Sequence, residues 1–310
     1  MDTSTAAYPL VSISIVNYNT TDYTRKLLHS LRNITYSHIE IFVVDNASAD
    51  SSCDDLKVEF PEIHLLKSPV NLGYAGANNL AIRQSKGELV LIMNNDIEVQ
   101  PGFMEPLVST FLAYPKAGMA SPRIQYAGAD KRIQYAGSPG IHAWTGRGKK
   151  TGHMQKDRGQ YSYFAPTKLV HGACMMVSRA LIKEAGLYPE QYFLYYEEHD
   201  WAMKARSKGF ELYYVGTSCI THYASATAGA NSPMKTYYMI RNRLLFLRRN
   251  HRGLSRLAAL LVFIFLAFPK KLFQYLWKRD YANLKATMAG VKWHLSPVAT
   301  DKSRAFSTQY

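Results

Sequence analysis

Apolar and polar positions alternate at the start of the chain and then settle into a repeating strand–helix rhythm. Leu10-Val11-Ser12-Ile13-Ser14-Ile15-Val16 is β-branched and changes character at nearly every step, which predicts a strand. Asp22 then stands at a cap position, ahead of Leu27, Leu28 and Leu31 at helical spacing. Residues 39–44 predict a second strand, residues 51–58 a short helix and residues 63–66 a third strand. The loop Asn71-Leu72-Gly73-Tyr74-Ala75-Gly76-Ala77-Asn78-Asn79 opens a helix that ends by Gly87, and residues 88–93 predict the next strand. Strands and helices alternating through short links imply an α/β fold with a mostly parallel sheet and helices on both faces.

Past Asn94-Asn95-Asp96 the rhythm weakens. A helix is expected over 102–113. Arg123-Ile124-Gln125-Tyr126-Ala127-Gly128 recurs as Arg132-Ile133-Gln134-Tyr135-Ala136-Gly137, which predicts a hairpin turning at Gly128-Ala129-Asp130. Residues 138–160 are rich in Gly, Lys and Arg and read as a mobile loop, a candidate lid. A buried strand is expected over 169–177, a helix stopped by Gly186, a second helix from Glu197 to Ser207, and late strands over 210–215 and 219–221.

From Met234 the chain reads as helical and basic. Residues 257–268 form an apolar run of twelve, ended by Pro269 and followed by Lys270-Lys271. That is short of the ~20 residues a bilayer-spanning helix needs. Leu272, Phe273, Tyr275, Leu276 and Trp277 then mix with Lys278 and Arg279. The expectation is a basic, amphipathic region whose helices lie in a membrane interface. The alternative is an appendage packed on the catalytic domain or on a second subunit, which would make a homo-oligomer.

Charge sharpens this division. The net charge is +14, and residues 241–310 hold fourteen Lys and Arg against Asp280 and Asp301, a surplus of twelve. An anionic partner is implied for this tail: nucleic acid, acidic lipid or a lipid diphosphate. An apolar content of 47% argues against disorder. Three scattered cysteines, Cys53, Cys174 and Cys219, fit a reducing compartment better than a disulfide framework. The start Met1-Asp2-Thr3-Ser4-Thr5 does not read as a signal peptide, so a cytoplasmic protein is expected. The expected division is 1–233, with halves 1–100 and 101–233, and a tail over 234–310.

Three acidic stations carry the candidate chemistry. Asp45 and Asp96 each follow a strand, where open α/β sheets bind ligands. Asp45 suits the imide N–H of a pyrimidine base, or equally a cap on its own turn. Asp96 suits Mg²⁺ or Mn²⁺ with phosphate oxygens as further ligands. Glu197, Glu198 and Asp200 fall in the first turn of a helix, after the aromatic stretch Tyr192-Phe193-Leu194-Tyr195-Tyr196. A carboxylate beside such a sugar-stacking wall is a candidate general base. His222 follows a late strand and is a candidate metal ligand.

Taken together these motifs resemble the inverting glycosyltransferases of family 2, with a GT-A fold, and within them the rhamnosyltransferase-like branch that builds bacterial surface polysaccharides. The matching segments are Val16-Asn17-Tyr18-Asn19-Thr20, Val43-Val44-Asp45-Asn46-Ala47-Ser48, Asn71 to Asn79, Met93-Asn94-Asn95-Asp96, Phe193 to Asp200, and Tyr237-Tyr238-Met239-Ile240-Arg241-Asn242. The resemblance implies a nucleotide-sugar donor, dTDP-rhamnose or a UDP-sugar. Asn17, Tyr18, Asn19, Asp45, Asn46, Asn71, Gly73, Gly76, Asn78 and Asn95 would line its pocket. Asp96 would end the family's Asp-x-Asp motif, with Asn94 replacing its first acid, and His222 would add a ligand. Glu198 would be the base, Asp200 the second choice and Glu197 their neighbour. Arg241 or Arg243 would stabilise the leaving diphosphate. The acceptor would be a glycan on a polyprenyl diphosphate at the inner face of the cell membrane. Two rivals remain at this point: a non-catalytic nucleotide-sugar-binding subunit, and a nucleic-acid-binding protein prompted by the tail. The apolar interleaving of the tail argues against the second.

Overall fold

The computed structural model describes residues 8–49, 52–224 and 231–295. The N-terminal residues read for a signal peptide and the last part of the basic tail, 296–310, lie outside them. The first half alternates as the pattern predicts: β1 (Val11–Asn17), α1 (Thr21–Leu31), β2 (Ile39–Asp45), α2 (Ser52–Glu59), β3 (His64–Lys67), α3 (Gly73–Gln84) and β4 (Leu89–Asn94). Then come β5 (Ile97–Val99), α4 (Met104–Ala113), β6 (Ala117–Tyr126), β7 (Ile133–Tyr135), β8 (Gly140–Ile141), β9 (Gly148–Lys149), β10 (Phe164–Pro166) and β11 (Cys174–Ser178). The remainder is α5 (Arg179–Ala185), α6 (Glu197–Ser207), β12 (Glu211–His222), α7 (Pro233–Asn250), α8 (Gly253–Val262), α9 (Phe268–Trp277) and α10 (Tyr281–Lys292).

The main sheet runs β10-β12-β6-β11-β4-β1-β2-β3, with β5 on β12 and β7 on β6. β3, β2, β1 and β4 are mutually parallel, as are β6 and β12; β11 joins the two groups antiparallel to both. The alternation in β1 explains its two faces. Val11, Ile13 and Ile15 enter the larger core with Leu27, Leu28 and Leu31 of α1. Ser12 and Ser14 point the other way, where Ser14 donates to Asn78 of α3. On that side Phe42 and Val44 pack on Ala77 and Ala81. Helices thus cover both faces.

Several expectations change. Residues 138–160 are not a structureless loop: β8 and β9 pair, Thr151 N donates to Gly137 O, and Thr151 O accepts from Ala136 N. The strand expected over 169–177 shortens to β11, because His171 and Cys174 bridge in a tight turn before it. The two late strands are one, β12, with a bulge between Val215 and Cys219.

Pro269 does not end the C-terminal helix. α8, a π turn over Phe263–Ala267 and α9 follow one another, so Gly253–Trp277 is one helix of 25 residues, long and apolar enough by length and composition to cross a membrane. The π turn accounts for this. Phe268 donates to Phe263, five residues back, and this wider turn comes directly before a proline that would otherwise disrupt an α-helix interior. Ala259 and Phe263 dock on the body, where Phe263 meets Ile240 and Leu244 of α7. Leu257, Ile264, Phe265, Leu266, Phe273 and Trp277 face outward.

Candidate active site

The first station forms where β4 ends and β5 meets β12. The register sets His222 opposite Ile97, which brings its ring beside Asp96. His222 Nε2 lies 3.0 Å from Asp96 Oδ1, and both residues are buried. On the other side His222 Nδ1 is 2.7 Å from Gln134 Oε1, which accepts its proton. Nε2 is then left with a lone pair, to which Asn94 Nδ2 donates from 3.2 Å. A lone pair and a carboxylate facing each other at this distance suit a shared cation. The donor set, one carboxylate and one oriented imidazole, fits a divalent metal, with Gln134 as the outer partner that sets the tautomer. Among the described residues no group of three or more His, Cys, Asp or Glu gathers to hold an ion. Phosphate and water oxygens would have to complete the sphere.

The second station is the start of α6. Glu197 is buried, and its Oε2 has no hydrogen-bond partner among the described residues. Burial pushes its carboxyl well above the usual range, and the charge of Glu198 adds to this. Burial acts against the charge of Glu198 as well. There the His199 ring, 3.1 Å away, and Lys150 prevail and hold the carboxyl below the usual range. Adjacent carboxyls are thus driven apart, Glu197 toward its protonated form and Glu198 toward its ionised one. Asp200 points away, toward Asn250 and Arg249 at the end of α7.

One dipeptide joins the two stations. Ala173 O accepts from Asn94 N at 2.8 Å, and a Cβ on Gly172 would stand 3.5 Å from Glu198 Cδ. Tyr74 donates to Gly172 O, and its hydroxyl lies in the fields of both Glu197 and Asp96. His171 and Lys150, 2.9 Å apart, close the same corner. Neither stood out in the sequence: His171 lies in a tight turn before a short strand, and Lys150 follows the two-residue strand β9, with no periodicity to mark either.

The aromatic wall is held under strain. Phe193, Tyr195 and Tyr196 have φ of 64°, 69° and 76°, a region that bulky residues seldom occupy. Asn242 of α7 compensates: its Nδ2 lies 2.7–2.8 Å from the carbonyl oxygens of Tyr192, Leu194 and Tyr195. Arg241 donates to the carbonyls of Gln191 and Tyr192, and its guanidinium lies over the Tyr238 and Trp293 rings at 4.8 and 4.9 Å. Arg241 was expected at a leaving diphosphate; here it supports the wall. Arg243 donates to Thr145 O and lines a different cleft, beside α8 and α9.

The expected nucleotide residues gather at the carboxyl ends of β1 and β2, where Asn17 lies opposite Asp45. Asp45 Oδ1 accepts from Ser48 N, the turn-capping role foreseen as one alternative. Asn17 bonds Thr21, Thr24 and Ser48, Asn19 accepts from Ala49 N, and Tyr18 is half-buried between them. Asn46 and Asn71 brace the loop into α3 by bonding each other, Leu72 N and Gly73 N. Asn78 links Ser14 to Tyr74, and Asn95 donates to Thr20 and Thr24. Their amides hold the pocket frame from within. Gly76 packs on Leu72, and Gly73, at φ 71°, lies against Phe193, where a Cβ would come within 2.4 Å of a carbonyl oxygen.

Solved structures share this architecture. A mannosyltransferase from Pyrobaculum calidifontis, described in complex with GDP-Man and Mn²⁺, superposes with a TM-score of 0.57 at 17% identity, over 94% of this chain and 88% of that one. GalNAc-T7, described with UDP, GalNAc and Mn²⁺, gives 0.61 at 16% identity, over 95% and 58%. The fold is that of the GT-A glycosyltransferases. The family model for glycosyl transferase family 2 matches residues 12–186, and the chain belongs to that family, as a hexosyltransferase. An N-acetylglucosaminyl-diphospho-decaprenol L-rhamnosyltransferase of Mycobacterium tuberculosis is 25% identical over 266 residues, 79% of this chain and 86% of the relative. A dTDP-rhamnosyl transferase of Shigella flexneri is 25% identical over 298 residues, 90% and 94%.

Proposed function

We propose that this protein transfers a sugar from a nucleotide-diphosphate donor, dTDP-rhamnose or a UDP-sugar, to a glycan linked to a polyprenyl diphosphate, inverting the anomeric centre in a single displacement. The observation that supports this is the Gly172-Ala173 dipeptide: Gly172 lies beside Glu198, and Ala173 O accepts from Asn94 N, two residues before Asp96. Asn17, Asp45 and the loop through Gly73 frame the nucleotide. Asp96 and His222 would hold Mg²⁺ or Mn²⁺, which supplies positive charge to the donor phosphates. Glu198 takes the proton of the acceptor hydroxyl as its oxygen attacks the anomeric carbon and the nucleoside diphosphate leaves from the opposite side. Glu197, kept neutral, adds no second negative charge next to the base. Residues 1–233, braced by α7, form the catalytic unit, and the helix Gly253–Trp277 is its membrane-facing part.

The rhamnosyl relatives favour the deoxythymidine donor, and the mycobacterial relative's name favours the lipid-linked acceptor. The outward apolar face of Gly253–Trp277 supports attachment to the inner face of the cell membrane: the helix packs on α7 through Leu260, Phe263 and Phe268 and leaves Phe265 and Trp277 bare. Calorimetry with a nucleotide-sugar panel, with and without Mn²⁺, tests the donor. Metal-dependent binding of dTDP-rhamnose or of one UDP-sugar is expected; binding of none refutes the transferase reading for this site. Phe265→Glu with Ile264→Glu is expected to release the protein from acidic vesicles. Retention would refute the attachment.

A further inference from the structure

A second cleft, of about 390 Å³, lies between the 142–147 turn and the helix formed by α8 and α9. It shares no lining residue with the cleft beside Asp96. Its polar lining is Thr145, Arg147, Arg243, Lys270, Lys271 and Gln274, with no acid among the lining residues. The rest is apolar, and includes Leu266, which also belongs to the bare face of the helix.

Arg243 makes this cleft unusual. It is 4% exposed, its Nε is held by Thr145 O, and its guanidinium lies 5.1 Å over the Phe263 ring. The groups whose charges act on it are Tyr196 and a like-charged Arg147. Buried charges are normally paired. Here two arginines and two lysines line one cleft without a carboxylate, Lys271 Nζ lying 5.2 Å over the Tyr275 ring, a donor set that matches the oxygens of a phosphate or diphosphate. The size is also right for a small ligand, in the ~300–1,000 Å³ range of such sites.

Its position relates it to the base. Gly148, next to Arg147, lies against His199, close enough that a Cβ there would stand 2.6 Å from Nε2. Tyr196 feels the charges of Arg243 and Arg147, and its ring is 5.3 Å from that of His199, the partner of Glu198. One layer of side chains thus separates the cleft from Glu198.

We infer that this cleft binds the diphosphate of the acceptor, with the sugar directed toward Glu198 and the hydrocarbon chain lying along Leu266, Phe265 and their neighbours. The inference rests on the lipid-linked acceptor proposed above. It also assigns Arg147, Lys270 and Lys271, which carry no role in donor binding or proton transfer, to acceptor recognition.

The test uses the full chain, Arg147→Ala, Lys270→Ala/Lys271→Ala, and farnesyl diphosphate as the probe, with farnesol as its uncharged control. The expected result is saturable binding of farnesyl diphosphate, weakened at least about tenfold in each variant, with farnesol bound weakly and equally by all. Equal binding of farnesyl diphosphate by parent and variants overturns the inference. So does a loss confined to phosphatidylglycerol vesicles, which would make the cleft a contact for bulk lipid headgroups. In turnover, the variants should raise KM for a glycosyl-diphosphate lipid at least about tenfold and leave KM for the donor unchanged. Activity on an octyl glycoside of the same sugar should match the parent's; an equal loss on both acceptors overturns the inference. A chain that binds no nucleotide sugar yet binds farnesyl diphosphate in the expected pattern would refute the transferase reading and leave the cleft assignment standing.

Discussion

The proposed metal station and the proposed base station are assembled in opposite ways. Asp96 and His222 meet because two regular strands, β5 and β12, are in register, and ladder bonds on each side fix their positions. Glu198 follows three aromatic residues in left-handed backbone conformations, held chiefly by Asn242 and Arg241, which reach in from α7 about fifty residues further along the chain. One is a product of sheet geometry and the other of long-range side-chain clamps. The second should therefore be the more easily displaced by a distant substitution.

The largest effect should come at the base itself. Glu198→Gln is expected to lower kcat by about 10²–10⁴-fold with donor affinity unchanged, in steady-state kinetics beside calorimetry. Near-normal turnover would remove Glu198 from the mechanism. Next is the clamp. Asn242→Ala should cost about 2–3 kcal/mol in urea unfolding, because several buried carbonyls lose one donor, and should lower kcat as the wall relaxes. Asn95→Ala, on the strand-built side, should cost about 1 kcal/mol. Equal losses would erase the contrast between the stations.

Smaller effects sharpen the comparison. Gln134→Leu should weaken Mn²⁺ binding about tenfold, because the His222 tautomer is no longer enforced. Unchanged affinity in a metal titration would exclude the ring from the coordination sphere. The smallest effect belongs to Glu197. Its folded-state affinity for a proton exceeds that of the unfolded chain, so its contribution to stability is complete below the ordinary carboxyl range and is lost as pH rises through the folded value. Glu197→Gln should melt close to the parent in mild acid and above it at pH 8. A gap that does not widen with pH would refute a protonated Glu197.

How much of this was legible depended on range. The alternation of Ser12 and Ser14 with Val11, Ile13 and Ile15 announced β1, and Gly186, at φ 78°, stops α5 where expected. Asp96, Glu198 and His222 were visible because they end strands or open a helix within recognisable motifs. Gln134, Gly172 and Asn242 were not visible as site residues. Each acts across a fold-made contact, and nothing in the local pattern marks a glutamine in a hairpin or an asparagine in a helix as the partner of a distant group. Pro269 misled for a related reason: a proline marks a helix boundary only when the preceding turn cannot widen, and the Phe263–Ala267 turn does.

The contact between Gly73 and Phe193 has a consequence for how variants of this protein should be interpreted. Tyr74 N donates to Phe193 O at 2.7 Å, and no side chain fits at Gly73. A genetic screen scored on loss of activity would recover changes at position 73 and, because the glycine sits in the loop proposed to frame the nucleotide, file them as donor defects. Their primary lesion would lie on the acceptor side, where the displaced aromatic segment carries Glu198 with it. In such a screen the phenotype and the motif would point to different substrates.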